Sequence, residues 1–444
     1  MRCTSYAERV RIQTLAQSGA TDAQIAAVVG WSQRTVRKWR RRAQRDTPDA
    51  LASLLGRPAN GSLSTFPHVV VEHLTVWRTQ HPGWGPATLR AELARCPALV
   101  DTPLPSCATI ARWLATHGYS RRYQRRRPLP KPPDQAATQP HQCWELDAEG
   151  VRAIANVGVV ALVNLVDRAS HLKLLSLPCW LGDTRAQHHP TTADVQLVLR
   201  HAFVRWGLPD RLAVDRDSIY YDNLSASPFP TRLHLWLTAL GITVEIGPPH
   251  RPTVRAQIER SHQLWYHQVI EGQHFRDWSA LVAALEARLA FLNLHLPCAT
   301  LDDRPPLVAF PDAQLPRRRY RLEAEAELLD PAHIDALLAT GEWFRQASVQ
   351  GAVSLGQQRY ALGRAWARRE VRITFDPASR ELTFASADQV LARRLPLRGC
   401  EPATLIGDAA RLLLSLPNYQ LALPLTPADW RVTHLCETVG GTTY

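Results

Sequence analysis

Lysine is nearly absent from this chain of 444 residues, although the chain carries a formal net charge of +12. Only Lys38, Lys131 and Lys173 occur among its 52 lysines and arginines. The positive charge is therefore nearly all arginine, whose planar guanidinium group matches phosphate oxygens and guanine edges. The abundance of arginine, alanine, leucine and proline would also follow from the base composition of the gene, and both explanations stay open. The clustering of the arginines is thus more informative than their number.

Other absences narrow the class of protein. No uninterrupted apolar run reaches the roughly 18 residues of a membrane span, and residues 1–9 lack the apolar core of a signal peptide. The eight cysteines include no Cys-x-x-Cys pair, so neither a zinc finger nor a redox motif is indicated. We therefore expect reduced cysteines, no membrane partner and a cytoplasmic location. A chain of this length predicts roughly three or four domains.

Residues 1–47 predict a helix-turn-helix DNA-binding domain. Residues 6–18 have a helical pattern, Thr21 and Gln24 form a capping box for a second helix, and Gly30 ends it. Ser32 then caps a third helix. The predicted inward positions are Ile25, Val28, Val36 and Trp39. The predicted exposed and DNA-contacting positions of the third helix are Gln33, Arg34, Arg37, Lys38 and Arg41. A helical hairpin with a solvated charged face is the alternative.

A linker at 46–64 leads to a second helical, winged-helix-like unit at 66–119, with helices near 66–78, 86–95 and 106–117. This unit either binds DNA or is a structural three-helix module. Residues 120–140 form a basic and proline-rich linker. The arginines predicted to track DNA phosphates there are Arg121, Arg122, Arg125, Arg126 and Arg127. A plain solvated linker is the alternative.

The centre of the chain, residues 141–310, predicts elements in the order β-β-β-α-β-α-β-α. This order favours an α/β sheet whose first strands are antiparallel. Residues 340–390 alternate in hydropathy with period two, which predicts a small β-barrel. Residues 400–444 contain a helical piece at 403–416, and no role can be assigned to this tail.

Three carboxylates in this central region have distinctive settings. Asp147 lies in one apolar run, Asp215 ends a second, and Glu259 lies on a predicted helix. Two strand ends and a helix can bring distant acids to one point, and clustered carboxylates bind hard divalent cations next to phosphate. On a basic protein, this combination points to an enzyme that cuts or joins nucleic-acid strands.

The motifs resemble those of bacterial insertion-sequence transposases in the retroviral-integrase superfamily, the Asp-Asp-Glu enzymes. The family usually has Asp-Asn-Gly-Ser where this chain has Asp215-Arg216-Asp217-Ser218. The terminal barrel resembles the one in phage Mu-like transposases, through residues 351–353, Tyr360 and residues 371–377. In the central region the resemblance is carried by Trp144-Glu145-Leu146-Asp147, by residues 165–171 and 247–252, by Ala256-Gln257-Ile258-Glu259-Arg260, and by residues 293–297.

The resemblance implies a multidomain fold: all-α helix-turn-helix units, an α/β RNase H-like catalytic core and a small all-β SH3-like barrel. It implies that Asp147, Asp215 and Glu259 are catalytic and hold two Mg²⁺ ions, for which Mn²⁺ can substitute. Water would free a 3′-hydroxyl at the element end, and that hydroxyl would attack target DNA. Asp217 is the alternative to Asp215. Strand alternation does not exclude Glu145 and Glu149, which share the face of Asp147, but the resemblance selects Asp147.

The resemblance also implies partners and a location. These are double-stranded DNA at the element ends and in the target, a homodimer or homotetramer on DNA, an optional ATPase that selects the target, and the bacterial nucleoid. Arg260, with His262 and Tyr266, is predicted either to contact DNA or to pack. Asp167 is predicted to be a turn residue. A non-catalytic regulator derived from a transposase, and an RNase H-like nuclease without joining activity, are the competing functions.

Overall fold

Three short helices open the chain, and a side chain caps the start of each. The computed structural model describes residues 4–44, 50–51, 61–120, 137–223, 225–247, 256–388 and 390–407. Helices α1 (Tyr6–Gln17), α2 (Asp22–Val29) and α3 (Gln33–Ala43) follow one another closely. Thr21 and Gln24 form the predicted capping box, and Gly30 ends α2 with φ of 70°. The predicted helix-turn-helix architecture is therefore confirmed.

Apolar side chains from all three helices form the small core of this domain. Ile25 and Val36 are fully buried. The guanidinium groups of Arg9 and Arg42 contact the ring of Trp39, at 4.4 and 4.8 Å from its centroid. The prediction that Val28 faces inward is wrong, because this side chain is 53% exposed. Helix α2 packs against the core through Ile25 and Val29, one turn apart, so Val28 turns towards solvent.

The second helical unit has the three helices predicted for it. These are α4 (His68–Gln80), α5 (Pro86–Arg95) and α6 (Cys107–Thr116). Ser106 caps α6 by accepting the N–H of Thr109 at 3.2 Å. Leu74, Leu89 and Ile110 are fully buried at the centre of the unit.

A mixed sheet forms the middle of the central region. Its strands are β1 (Cys143–Ala148), β2 (Arg152–Ile154), β3 (Gly158–Asp167), β4 (Lys173–Gly182), β5 (Arg211–Val214) and β6 (Thr243–Ile246). The strands lie in the order β4-β3-β1-β5-β6. The short strand β2 also pairs with β3, on the same edge as β1. β3 is antiparallel to β1 and β4, whereas β5 and β6 run parallel to β1. The antiparallel start is confirmed, and β2 was not predicted.

Helices cover both faces of this sheet. On one face, α7 (Thr192–Trp206) and α8 (Arg232–Ala239) pack in the main apolar cluster with Leu146 and Leu165. On the other face lie α9 (Ala256–Trp265), a π-helical turn at Tyr266–Ile270 that continues it, and α10 (Trp278–Leu294). They pack with Val160 and Leu162 in a second cluster. Strand alternation thus divides β3 between two separate cores.

The C-terminal part adds short helices and two antiparallel sheets. The helices are α11 (Pro306–Ala309), α12 (Glu325–Leu328), α13 (Pro331–Ala339) and α14 (Pro402–Ile406). The strands are β7 (Glu342–Gln346), β8 (Ala352–Leu355), β9 (Gln358–Ala361), β10 (Glu370–Asp376), β11 (Glu381–Ser386) and β12 (Ala392–Pro396).

One sheet has the order β12-β11-β10-β7, and β8 pairs separately with β9. The predicted SH3-like barrel is therefore not confirmed, and the strands extend past the predicted limit at 390. Apolar side chains of both sheets belong to the main apolar cluster of the central region, so this part shares a core with its neighbour.

A buried ion pair ties these parts together. Arg200 on α7 and Glu325 on α12 are each 2% exposed and form two hydrogen bonds of 2.7 Å. Glu325 also accepts the indole N–H of Trp236 at 2.8 Å, and Arg200 donates to the carbonyl oxygen of Ile406 at 2.7 Å. Buried charges are tolerated when they are paired and fully hydrogen-bonded.

Several predicted segments lie outside the described residues. They are most of the linker at 46–64, the arginine-rich run at 121–127 with the proline-rich stretch to 136, residues 248–255 and the tail beyond 407. Within the described ranges, no helix combines the length and apolar character needed to cross a membrane.

Two histidines, the buried His201 and the half-buried His234, predict that acid destabilises the fold. Burial lowers the pKa of His201 and of His234 from 6.5 to about 4. The unfolded chain therefore binds these protons at a higher pH than the folded chain does. Their contribution to the free energy of unfolding is complete above pH 6.5 and is lost as the pH falls towards 4. We expect Tm to fall over this range and the fall to be smaller in His201→Gln.

The measurement is thermal unfolding at stepped pH. His189→Gln removes an exposed histidine and should leave the wild-type profile unchanged. A wild-type Tm that stays constant between neutral and acidic pH would contradict the prediction.

Candidate functional site

Asp147 lies on β1, and Asp215 directly follows β5, the strand that runs parallel beside β1. β1 pairs with β5 so that Glu145 is opposite Ala213. Carried two residues further, this register sets Asp147 opposite Asp215, which directly follows β5. Residues opposite each other in paired strands project from the same face of the sheet. Both side chains are partly buried. These two acids therefore share one face and one level of the sheet.

Glu259 lies on α9, and Glu145 anchors the first turn of that helix. The Glu145 carboxylate accepts the backbone N–H of Ile258 at 3.2 Å. The N–H groups of a first helical turn have no partner within the helix, and the helix dipole favours a negative charge there. Because Asp147 shares the face of Glu145, α9 crosses the sheet on the side of both strand acids. Glu259 directly follows Ile258 and is exposed.

The three acids suit a hard divalent cation by their chemistry, but they do not surround one point. All three are carboxylates, the oxygen donors that Mg²⁺ prefers. The extended register makes Asp147 and Asp215 neighbours, and Glu259 is exposed on α9, the helix that crosses the same sheet face. Across the described ranges, however, no three His, Cys, Asp or Glu side chains form a group that could hold a metal ion. The residues fit such a site by donor type and shared face, and the predicted three-acid cluster is not formed.

Asp217, the alternative to Asp215, has a local structural role. Its backbone N–H donates to the Asp215 carboxylate at 2.9 Å, and its own carboxylate accepts the N–H of Ile219 at 3.0 Å. Such contacts from aspartate side chains stabilise turns. Asp217 also lies two residues beyond the position opposite Asp147. The register therefore favours Asp215 as the neighbour of Asp147.

Glu145 belongs to a buried ion-pair network. It is 2% exposed and accepts from Nε of Arg168 at 2.9 Å. The same guanidinium reaches Glu245 at 3.3 Å, and Arg211 pairs with Glu245 from the adjacent strand. Both glutamates register opposite Ala213, so they lie in one row across the sheet. The arginines neutralise two carboxylates that would otherwise repel each other, which gives Glu145 a structural role.

Two further acids near the site also have structural partners. Glu149 follows β1 and accepts from Nε of Arg152 at 2.9 Å. Asp167 ends β3 and accepts the backbone N–H groups of His141 and Ser170, both at 2.8 Å. Burial raises the pKa of the Asp167 carboxyl. Asp167 is thus the turn residue that the sequence predicts.

The predicted DNA-contacting side chains of α3 all lie on its exposed side. Val36 and Trp39 turn inward, which leaves the opposite face of the helix to solvent. Arg37 Nε bonds Asp22 of α2 at 3.3 Å, so part of its charge is compensated within the domain. The exposed residues are Gln33, Arg34, Arg37, Lys38 and Arg41. The arginines at 121–127 lie outside the described residues.

A second predicted contact surface lies on α9. Arg260 is exposed beside Glu259, and His262 is half-buried. The ring of Tyr266 lies 4.3 Å from the guanidinium of Arg152, so this tyrosine packs within the protein. Of the three residues, only Arg260 is exposed, and the other two are half-buried.

The second helical unit docks on the C-terminal end of α9. Trp84 Nε1 donates to the carbonyl oxygen of Gln268 at 3.3 Å, and Gln268 Nε2 donates to Thr88 Oγ1 at 2.9 Å. Arg288 of α10 pairs with Glu92, and its guanidinium lies 4.3 Å from the Trp84 ring centroid. Gln268 belongs to the π-helical turn, a feature often found at functional sites. The sequence analysis did not reveal this contact.

Asn164 and Ser176 are two further residues that the sequence analysis missed. Asn164 lies directly opposite Asp147 on β3, and Ser176 lies opposite Asn164 on β4. One signal was available, because Asn164 is the lone polar residue in the apolar run from Val159 to Val166.

Comparison with known proteins confirms the first domain. The family model described as a homeodomain-like domain matches residues 3–52. Among solved structures, the chain is similar to the intasome of simian T-cell lymphotropic virus in complex with PP2A regulatory subunit B56 gamma. The two sequences are 15% identical, and the match covers 71% of this chain and 97% of the chain in that structure, with a TM-score of 0.30.

The catalytic core domain of BIV integrase is 16% identical over 39% of this chain and 96% of its own, with a TM-score of 0.27. The HTLV-2 integrase catalytic core domain in complex with magnesium is 13% identical over 39% and 99%, with a TM-score of 0.28. TM-scores this low carry no argument about the activity of this chain.

The network around Glu145 predicts a large effect of Arg168→Met on stability. The change leaves a buried carboxylate without its closest cation, which costs about 3 kcal/mol or more of the free energy of unfolding. Adding Glu145→Gln should recover part of that loss, because the neutral amide still accepts from Ile258.

Urea unfolding measures both variants. Arg185→Met, at an exposed arginine, is the matched control and should stay within about 0.5 kcal/mol of wild type. Equal losses for Arg168→Met and Arg185→Met would show that the buried pair does not stabilise the sheet.

Proposed function

We propose that this protein is a DNA transposase that binds the ends of a mobile element, such as a bacterial insertion sequence, and joins them to target DNA. The observation that carries the proposal is the β1–β5 register. It supports a pair of adjacent carboxylates, Asp147 and Asp215, on the sheet face crossed by the helix of Glu259. The homeodomain-like domain at the N-terminus supports binding of specific DNA.

In this proposal Asp147, Asp215 and Glu259 are the catalytic residues and the ligands of two Mg²⁺ ions. Cations bound there would supply the positive charge that activates an attacking oxygen and stabilises a leaving one. Asp147 on β1, Asp215 after β5 and Glu259 on α9 would supply the carboxylates that hold these cations. Glu145 and Arg168 would hold α9, and hence Glu259, in position over the sheet.

The reaction we propose has two displacements at phosphorus. Water attacks a phosphodiester at the element end, one P–O bond forms while another breaks, and a 3′-hydroxyl is released. That hydroxyl then attacks a target phosphodiester in the same manner. Neither step needs a covalent bond to the protein.

Binding of DNA would involve several parts of the chain. The α3 face would read a major groove, Arg121, Arg122, Arg125, Arg126 and Arg127 would follow phosphates, and Arg260 would contact DNA beside the acids. Two element ends require two such assemblies, which supports a dimer or tetramer. The docking of the second helical unit on α9 would place any DNA held by that unit in a constant relation to Glu259.

The test is strand transfer in Mg²⁺ with DNA from the flanks of the gene. Asp147→Asn and Glu259→Gln should each lower the yield of joined product by at least about 100-fold. A metal ligand contributes several kcal/mol, and each 1.4 kcal/mol is about tenfold in rate. Asp217→Asn is the matched control and should retain joining. Loss of joining in Asp217→Asn but not in Asp215→Asn would reverse the assignment of the second ligand.

A second prediction concerns DNA affinity. Arg34→Ala and Arg41→Ala should weaken binding of element ends, and each should lower the slope of log affinity against log salt by about 0.9. Fluorescence anisotropy over a salt series measures both quantities. Arg276→Ala removes an exposed arginine of the core that is paired with Asp277, and it should leave the slope unchanged. Equal slopes in wild type and in all three variants would show that α3 does not contact DNA.

A non-catalytic DNA-binding regulator is the second candidate. One observation favours it, because the described acids do not form a metal-holding group. Tight binding of element ends without cleavage, in wild type and variants and in Mn²⁺ as well as Mg²⁺, would support the regulator.

A further inference from the structure

A row of polar side chains crosses the sheet on the face covered by α9. The β1–β3 register brings Asn164 beside Asp147, and the β3–β4 register brings Ser176 beside Asn164. The β1–β5 register, extended by two residues, brings Asp215 beside Asp147. Directly opposed residues of adjacent strands share a face and are near neighbours. The row therefore runs from two partly buried acids, Asp147 on β1 and Asp215 after β5, into the interior under α9 and α10.

The interior half of the row is buried, and its polar atoms lack protein partners. Asn164 is fully buried and Ser176 is 4% exposed. Neither atom of the Asn164 amide, nor the Ser176 hydroxyl, has a hydrogen-bond partner within the described residues. Buried polar groups in folded proteins are nearly always satisfied, by protein or by ordered water. A cluster of three unsatisfied atoms beside a candidate catalytic acid thus needs a physical explanation.

Asn293 shows the ordinary behaviour of a buried asparagine in this protein. It is 2% exposed, its amide oxygen accepts the N–H of Lys173 at 2.9 Å, and its amide nitrogen donates to the Lys173 carbonyl at 2.8 Å. Both atoms of its amide are therefore satisfied by one backbone residue. Asn164 has equal burial without such a partner.

Helix α9 adds another hydroxyl above the same row. Ser261 is 1% exposed, and its Oγ has no hydrogen-bond partner among the described residues. Ile258, one turn earlier, is anchored at Glu145. Three helical residues advance about 4.5 Å and two strand residues about 6.7 Å. The start of α9 lies at the C-terminal end of β3, where Gln257 Nε2 donates to the carbonyl oxygen of Asp167 at 2.9 Å, and its end at Trp265 packs with Val160 and Leu162. The helix thus runs along β1 from Glu145 towards Asp147, which places Ser261 near the level of Asp147 and Asn164.

We propose that Asn164, Ser176 and Ser261 bind buried water behind Asp147, and that this water holds the Asp147 carboxylate in the orientation that a divalent cation requires. A buried water makes about three hydrogen bonds to otherwise unsatisfied groups. The amide supplies a donor and an acceptor, and the hydroxyls supply either. Groups that hydrogen-bond metal ligands orient them, and losing one weakens metal binding by roughly 10–100-fold. Asn164 is then a positioning residue, and its role rests on the proposed function of Asp147.

Packing alone does not require asparagine at this position. Val160 and Leu162 project from the same face of β3 into the apolar cluster beneath α9 and α10. A leucine at 164 would extend that apolar row and remove the unsatisfied amide. A structural role and a positioning role therefore predict different results for the same substitution.

The experiment measures Mn²⁺ binding by the full chain without DNA, by titration calorimetry, together with thermal unfolding. Asn164→Leu should raise the Mn²⁺ dissociation constant by roughly 10–100-fold. Its Tm should be unchanged or raised by about 2–4 °C, because the unsatisfied amide is gone. Asn164→Ser keeps a polar group and leaves room for water, so it should bind Mn²⁺ nearly as wild type does. Asn293→Leu, the matched control, should lower Tm and leave Mn²⁺ affinity unchanged.

Wild-type Mn²⁺ affinity in Asn164→Leu would overturn the proposal. If Asn164→Leu fails to fold, Ser176→Ala replaces it, and unchanged affinity in that variant would equally overturn the proposal. The Asp147→Asn variant distinguishes a failure of the positioning role of Asn164 from a failure of the proposed metal site. When Asp147→Asn loses Mn²⁺ and Asn164→Leu does not, the positioning role alone fails. When wild type and Asp147→Asn bind Mn²⁺ equally, the metal site of the proposed function fails, and the positioning role with it.

Discussion

The hydrogen-bond ladder of β1 decides where the candidate catalytic residues lie. This strand pairs with β3 on one side and with β5 on the other, antiparallel and parallel respectively. Because side chains alternate between faces, a slip of one residue would turn Asp147 away from α9 and into the apolar core beneath α7 and α8. The same slip would bury Glu145 without Arg168. The register therefore sets both the chemistry of one face and the packing of the other.

One face of β1 packs in the apolar core, and the other face carries the acidic residues. Trp144 and Leu146 pack into the main apolar cluster, whereas Glu145 and Asp147 project towards α9. Glu145 uses its charge to anchor the first turn of α9 and to satisfy Arg168. Asp147, two residues further along, is only partly buried and lies next to Asp215 at the outer end of the polar row. A structural acid and a candidate catalytic acid thus share one strand face and differ in depth.

Contacts from the second helical unit and from the C-terminal helices hold the elements around this site in place. The second helical unit bonds to the π-helical turn at the end of α9, and the buried pair of Arg200 and Glu325 joins α7 to the C-terminal helices. These contacts are polar, buried and satisfied, so they specify one arrangement of the neighbouring elements. The helix that carries Glu259 is consequently held at its start by Glu145 and at its end by Trp84.

The sequence by itself determined the features that depend on near neighbours along the chain. Thr21, Gln24 and Gly30 specify the ends of α2 because capping contacts span three or four residues. The order of strands and helices in the centre follows from hydropathy in the same way. The tertiary structure alone decided which acids are neighbours, that Glu145 is structural, that Val28 faces solvent, and that Asn164 lies beside Asp147. It also decided that the described acids do not close around one point and that the C-terminal strands form two sheets. Each of these depends on pairing between strands and helices that are distant in sequence. A hydropathy pattern shows which face of one strand is buried, but it does not show which strand or helix will pair with it.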